Sequence, residues 1–332
     1  MPTPRAALPR RTLRTLEVSA QGLGCLPTTD FYGRPDPERA LAAIRAALDA
    51  GVTLLDTADV QGLGAGEELL ARAVAGRRDG VVIASKFGMV RSAEGFQGLC
   101  GEPSYVRAAC ERSLRRLRTD RIDLYYQHWI DPAVPVEETA GAVAELIAEG
   151  KVRHFGLSEP AAATLRRADA QCPVTAVQSE WSLWTRGIED EVVPVCRELG
   201  IGIVAYAPLG RGFLTGRITT QDDLADEDFR RGQPRFAPAA LARNQELLRR
   251  LRPHAGRLGL TLAQLGLAWL HHQGADVVPI PGTGDPYHLA ENLSAAAVRL
   301  SEDDLAAVTA AAASLPVHGE RYTPAMLAMT GN

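Results

Sequence analysis

Short apolar runs rich in β-branched residues recur along this chain, and each is followed by a stretch with helical periodicity. Residues 52–56, 81–85, 122–126, 152–156, 174–178, 201–205 and 277–280 read as strands. Between and around them, 37–50, 66–75, 103–117, 136–148, 161–169, 189–199, 238–258, 262–271, 287–296 and 302–313 read as helices, with Gly51 and Gly150 as natural C-terminal stops. Adding Leu23-Gly24 as a short first strand makes eight strands. A strand followed by a helix, repeated, implies right-handed βαβ units and a parallel sheet. Eight such units favour an α/β fold of the closed (β/α)8 TIM barrel kind over an open doubly wound sheet, and no GxGxxG follows an early strand.

A barrel with insertions uses 332 residues as a single domain, here 1–332, with 1–12 expected to be flexible. The stretch 210–236 is too long for a connector and reads as a functional loop over the barrel mouth. At 46% hydrophobic and 23% charged residues, the chain can bury a large core. Its net charge of −4 argues against a nucleic-acid partner, because phosphate backbones select basic surfaces. No apolar run approaches the roughly 20 residues of a membrane span. Five scattered cysteines form neither a CxxC pair nor a metal-ligand spacing, so no metal is expected, and reduced thiols with no secretory signal make the cytoplasm the default. Lys86 and Lys151 are the only lysines, the other basic residues being arginines.

Barrel enzymes build their sites at the C-terminal ends of the strands. There the second strand ends in Asp56, the third in Lys86, the fourth runs into His128 and the sixth ends in Gln178-Ser-Glu180. Each has a bland explanation alone: an Asp that caps a loop, a solvated Lys, a structural His. Their convergence on one face is what points to chemistry.

The segments Leu55-Asp-Thr-Ala-Asp59-Val-Gln-Gly62, Ala84-Ser-Lys86-Phe-Gly and Asp123-Leu-Tyr-Tyr-Gln-His128 resemble those of aldo-keto reductases. So do Gly150-Lys-Val-Arg-His-Phe-Gly-Leu-Ser158-Glu, Val177-Gln178-Ser-Glu180, Tyr206-Ala-Pro-Leu-Gly-Arg-Gly212, and Pro281-Gly-Thr283 followed by Glu291-Asn292. The motifs run in family order from about residue 14 to 310. The resemblance implies hydride transfer between a nicotinamide and a carbonyl carbon, with Asp56 and Lys86 as an ion pair and His128 orienting the carbonyl. It also implies a tyrosine five residues after Asp56, whose pKa the neighbouring ammonium lowers so that it acts as general acid. That position holds Gln61. A carboxamide donates hydrogen bonds but gives up no proton at useful pH.

Three readings follow from Gln61. The protein reduces a C=O or C=N group, such as an iminium, that needs little acid help, plausibly in specialised biosynthesis. Or the pocket serves a non-redox reaction (dehydration, isomerisation) or cofactor-binding regulation. Or the chain is a Tyr-to-Gln variant of an ordinary reductase. Tyr32, on the first strand's loop, is a candidate substitute phenol and otherwise a pocket wall. The resemblance further implies that Tyr206 stacks on the nicotinamide while Ser158 and Gln178 bond its carboxamide. It places Leu209, Gly210 and Gly212 near the pyrophosphate with Arg211 as charge, and Gly282, Thr283, His288, Glu291 and Asn292 at the adenine end. NADPH is the implied cofactor. NADH stays open, because Gly284 and His288 stand where NADPH-preferring relatives carry Lys or Arg, and Asp285 adds negative charge. Trp129 and Trp181, with Trp184 nearby, point to a bulky or cyclic small-molecule substrate.

Overall fold

The computed structural model describes residues 8–26, 29–34 and 36–331. Its centre is an eight-stranded, wholly parallel sheet in consecutive order: β1 (Leu23–Gly24), β2 (Leu54–Asp56), β3 (Val82–Phe87), β4 (Ile122–His128), β5 (Val152–Ser158), β6 (Val174–Glu180), β7 (Gly202–Tyr206) and β8 (Val277–Pro279). The two ends of this sheet meet. Gly22 N–H donates to Pro279 O at 3.0 Å, and Gly24 bridges Gly282 in parallel, so the sheet curls into the (β/α)8 barrel. A side chain at Gly24 would place its Cβ 2.9 Å from Ile280 O, so this tight closure of the seam needs a glycine there.

The helices α1 (Pro37–Asp49), α2 (Ala65–Val74), α3 (Pro103–Leu117), α4 (Val136–Ala148), α5 (Ala162–Gln171), α6 (Val192–Leu199), α7 (Pro238–Arg257), α8 (Leu262–His271), α9 (Pro286–Ser294) and α10 (Glu302–Ala313) surround the barrel. The sequence boundaries hold within a few residues. The main difference is that β3 to β6 run two residues further toward their C-terminal ends, where parallel neighbours still pair.

Two cores result. The larger lies between the sheet and the helices, and the smaller fills the barrel interior with Leu54, Ala84, Leu124, Tyr126, Ala176, Val204 and Val278. Leu13, Leu16 and Val18 join the inner core from an antiparallel N-terminal hairpin, Arg10–Leu13 with Leu16–Ser19. Of the stretch expected to be flexible, residues 10–12 belong to this hairpin, whose apolar residues 13, 16 and 18 are buried in the inner core. Residues 1–7 of that expected stretch lie outside the described residues. The 210–236 loop is a series of 3-10 turns, among them Gly210–Thr215, Phe229–Gly232 and Pro234–Phe236. No helix is long and apolar enough to cross a membrane, and no metal-binding cluster occurs among the described residues.

Candidate active site

The strand period of two explains how the polar residues come together. Asp56, Lys86, His128, Ser158, Gln178 and Tyr206 each stand two residues beyond Leu54, Ala84, Tyr126, Gly156, Ala176 and Val204 on their own strands. Residues two apart share a face of the sheet, so a polar rim rises directly above the apolar barrel interior. All six rim residues line one cavity of about 670 Å³.

Lys86 and Asp56 are nearly fully buried and form an ion pair, Nζ to Oδ1 at 2.5 Å. Lys86 Nζ also donates to Thr57 O at 2.8 Å, and Gln178 Nε2 donates to Asp56 Oδ2 at 2.7 Å. Both carboxylate oxygens are therefore engaged, which a buried charge requires. Gln61 is buried on the turn after β2, and its Oε1 accepts from Thr57 Oγ1 at 3.2 Å. That leaves the Gln61 amide NH2 as the donor this side chain can offer the cavity it lines. Burial, reinforced by the Lys86 charge, lowers the His128 pKa to about 3, so the ring is neutral near pH 7. His128 Nδ1 finds no hydrogen-bond partner among the described residues.

From this corner the cavity runs past Tyr206, Leu209 and Gly212 to Thr283, after β8, and to His288, Glu291 and Asn292 on α9. A model of the "Aldo/keto reductase family" matches residues 22–313. The chain belongs to that family. Among solved structures, it is similar to the thermostable aldo-keto reductase Tm1743 in complex with the inhibitor epalrestat (29% identity, TM-score 0.74, 92% of this chain and 100% of that one). It is also similar to the glycerol dehydrogenase AKR11B4 from Gluconobacter oxydans (26% identity, TM-score 0.80, 91% and 94%). A third is an aldo/keto reductase from Klebsiella pneumoniae in complex with NADP and acetate (30% identity, TM-score 0.71, 95% and 99%). Membership of the aldo-keto reductases makes the chain a member of an NAD(P)-dependent oxidoreductase family.

Within this aldo-keto reductase, some of the expected residues sit away from the cavity, and others border it while engaged in structural contacts. Trp181 does not face the cavity: it is 2% exposed, packs edge-on against Trp269 at 6.2 Å and donates from Nε1 to Glu189 at 2.9 Å. It follows Gln178 by three residues, an odd spacing that turns it to the helix side of the sheet. Trp184 is likewise buried, stacked on Phe213 at 4.1 Å. Gly210 is the residue that makes room for it, since a Cβ there would come within 2.7 Å of the Trp184 ring. Arg211 borders the cavity, but its guanidinium is committed to Glu180 at 2.7 Å and to Arg321 O at 2.7 Å. Gly282 serves the barrel seam, and Thr283 Oγ1 accepts from Asp285 N–H at 3.0 Å.

Trp129 and Tyr32 do line the cavity, with the guanidinium of Arg230 over the Tyr32 ring at 4.6 Å. Burial raises the Tyr32 pKa, which opposes any role as an easily ionised phenol. Sequence reasoning missed four contributors. Arg217 reaches from the loop after β7 to contact His288 Nε2, and Arg39 of α1 pairs with Asp285 at 2.7 Å. Tyr322 and Met326, from the C-terminal segment, close the mouth beside Trp129, with Tyr322 5.5 Å from the Trp129 ring. Arg217 had a faint signal, lying five residues after Gly212 in a Gly-rich run. The C-terminal pair had none, since 315–331 carries neither periodicity nor a strand pattern.

Proposed function

We propose that this protein is an NADPH-dependent reductase of a C=N, or of a carbonyl needing little acid assistance, in a bulky or cyclic small molecule. The observation that carries the reading is the complete Asp56–Lys86–Gln178 cluster with neutral His128, assembled around Gln61 in a cavity that continues to α9.

The residues present fit the cofactor. The cavity joins the ion pair to Glu291 and Asn292 without interruption, and Arg217, Arg39 and His288 gather at the far end, where a 2′-phosphate needs charge-assisted bonds. The basic groups missing from positions 284 and 288 are thus supplied by other elements, which supports NADPH. NADPH, when bound, supplies the hydride. Tyr206 offers a flat ring on the cavity wall, and Ser158 and Gln178, on β5 and β6, offer polar groups in the same cavity.

On the substrate side, His128 and the Gln61 amide hold a polar atom by hydrogen bonds. Lys86 makes two of the three bonds its ammonium can donate, to Asp56 and Thr57, and so retains one N–H. These donors stabilise developing negative charge but replace the proton transfer of a phenol poorly, because removing a general acid typically costs about 10²–10⁴-fold. An iminium carbon accepts hydride and yields a neutral amine with no proton delivered in the same step. Phe31, Tyr32, Trp129 and Tyr322 give the mouth the aromatic walls that a cyclic substrate of this kind uses.

The test is NADPH consumption with 2-methyl-1-pyrroline and with benzaldehyde, each with the wild type and Gln61→Tyr. Faster turnover of the imine by the wild type, and of the aldehyde by the variant, is the expected crossing. Wild-type aldehyde rates equal to those of the variant would overturn the reading.

A further inference from the structure

The C-terminal segment carries a polar network that the sequence motifs do not contain. Tyr322 Oη lies 3.0 Å from Tyr206 Oη, and Arg321 Nη1 donates to the same Tyr206 oxygen at 3.5 Å. Arg321 is itself anchored: its Nη2 donates to Glu159 Oε2 at 2.5 Å, one residue beyond Ser158. The Tyr322 ring lies under the Arg211 guanidinium at 4.4 Å, and Arg211 is locked to Glu180, two residues beyond Gln178. The segment is tied down on both flanks. His318 exchanges two hydrogen bonds with the Asn244 side chain at 2.9 Å, and Gly331 N–H donates to Glu159 O at 3.0 Å.

Burial makes these bonds consequential. Tyr206 and Tyr322 both have pKa values raised by desolvation, so both stay neutral phenols that must satisfy their hydroxyls by hydrogen bonding. Rotation of the Tyr206 ring about its Cα–Cβ bond would break the contacts to Tyr322 and Arg321 together. The far end of the ring is thus held in place by residues more than 110 positions away in sequence.

We propose that Arg321 and Tyr322 are positioning residues that hold the Tyr206 ring in the place where it stacks against the nicotinamide, making the C-terminal segment part of the cofactor site. The inference rests on the reading that Tyr206 is the stacking ring. It assigns no chemistry to Tyr322, whose role is exerted through Tyr206.

The experiment compares two ligands, NADPH and adenosine 2′,5′-bisphosphate, which shares the adenine end but has no nicotinamide. Affinities are measured by calorimetry for the wild type, Tyr322→Phe, Arg321→Met, Tyr206→Phe and the Tyr206→Phe/Tyr322→Phe double variant. Loss of one buried hydrogen bond predicts NADPH binding weakened about 3- to 10-fold in Tyr322→Phe and in Tyr206→Phe. The double variant should be no weaker than Tyr206→Phe, because both remove the same contact. Binding of the bisphosphate should stay within about two-fold of the wild type throughout, which a merely structural role would not produce.

Equal weakening of both ligands would overturn the proposal in favour of general destabilisation. Unchanged NADPH affinity in both Tyr322→Phe and Arg321→Met, with loss in Tyr206→Phe, would overturn the positioning role while leaving the stacking intact. If the wild type bound NADPH no better than the bisphosphate, the stacking reading itself would fall, and the positioning role with it.

Discussion

The two ends of the cavity are built on different terms. At the ion-pair end, each polar group is an inward-facing residue near the C-terminal end of a strand, and its partners come from other strands, adjacent or across the barrel: Asp56 from β2, Lys86 from β3, Gln178 from β6. At the α9 end, Arg39 comes from α1, Arg217 from a loop, and Asp285 and His288 from the start of α9. The first end is rigid and nearly closed to solvent. The second is more open, with the Arg39 side chain 58% exposed and its partner Asp285 29%. A change at the ion-pair end, where Gln61 sits, therefore touches several coupled side chains at once. At the α9 end a side chain can be supplied from another element without disturbing the barrel.

Substitutions should sort along that difference. Lys86→Met leaves the Asp56 carboxylate buried without its counter-ion, and unfolding in urea should show a loss of about 3–5 kcal/mol. A loss below about 1 kcal/mol would mean that the ion-pair end is no more tightly built than the other. Gln61→Tyr should raise aldehyde reduction at least about ten-fold in initial-rate assays, by restoring a phenol beside the Lys86 ammonium. Arg217→Ala, at the open end, should weaken NADPH about 5- to 10-fold in fluorescence titration, with NADH unchanged and stability within about 0.5 kcal/mol of the wild type.

An effect spread over pH concerns Asp59, behind the ion-pair end. Its Oδ1 is buried with no partner among the described residues, and burial, followed by the Glu67 charge, raises its pKa from 3.8 to about 7. The native state therefore holds a proton that the unfolded chain releases. The associated stability is present below pH 3.8 and is lost as pH rises through 7. Asp59→Asn should flatten the fall in stability between pH 5 and 7 (a slope of up to about 1 kcal/mol per pH unit), followed by thermal melting. An unchanged slope would mean that this carboxyl is paired after all.

The same contrast explains what could be read in the sequence. Strand ends were legible because a period of two, set on apolar runs, dictates which side chains share a face; Asp56, Lys86, His128 and Gln178 required nothing more. Trp181 was misplaced although it adjoins Glu180, because adjacency in sequence is not adjacency on a face. The N-terminal hairpin was missed because Leu13, Leu16 and Val18 find their place only once the barrel floor exists. Arg39 and Tyr322 were invisible, and Arg217 only faintly marked, for a related reason. Their meeting with β7 and α9 is set by how loops and a terminal segment cross the mouth, which no local pattern encodes.

The seam between β1 and β8 is held by the Gly24–Gly282 bridge and the Gly22–Pro279 hydrogen bond, whereas β4 and β5 share six paired positions. The barrel is thus a band with a clasp, and thermal breathing should begin there, reported by faster amide exchange at Gly22 and Gly24 than at β4. Gly24 and Gly282 both line the cavity, so a molecule lying along its floor would press on the clasp from inside. Occupancy of the site and integrity of the whole ring become a single mechanical property.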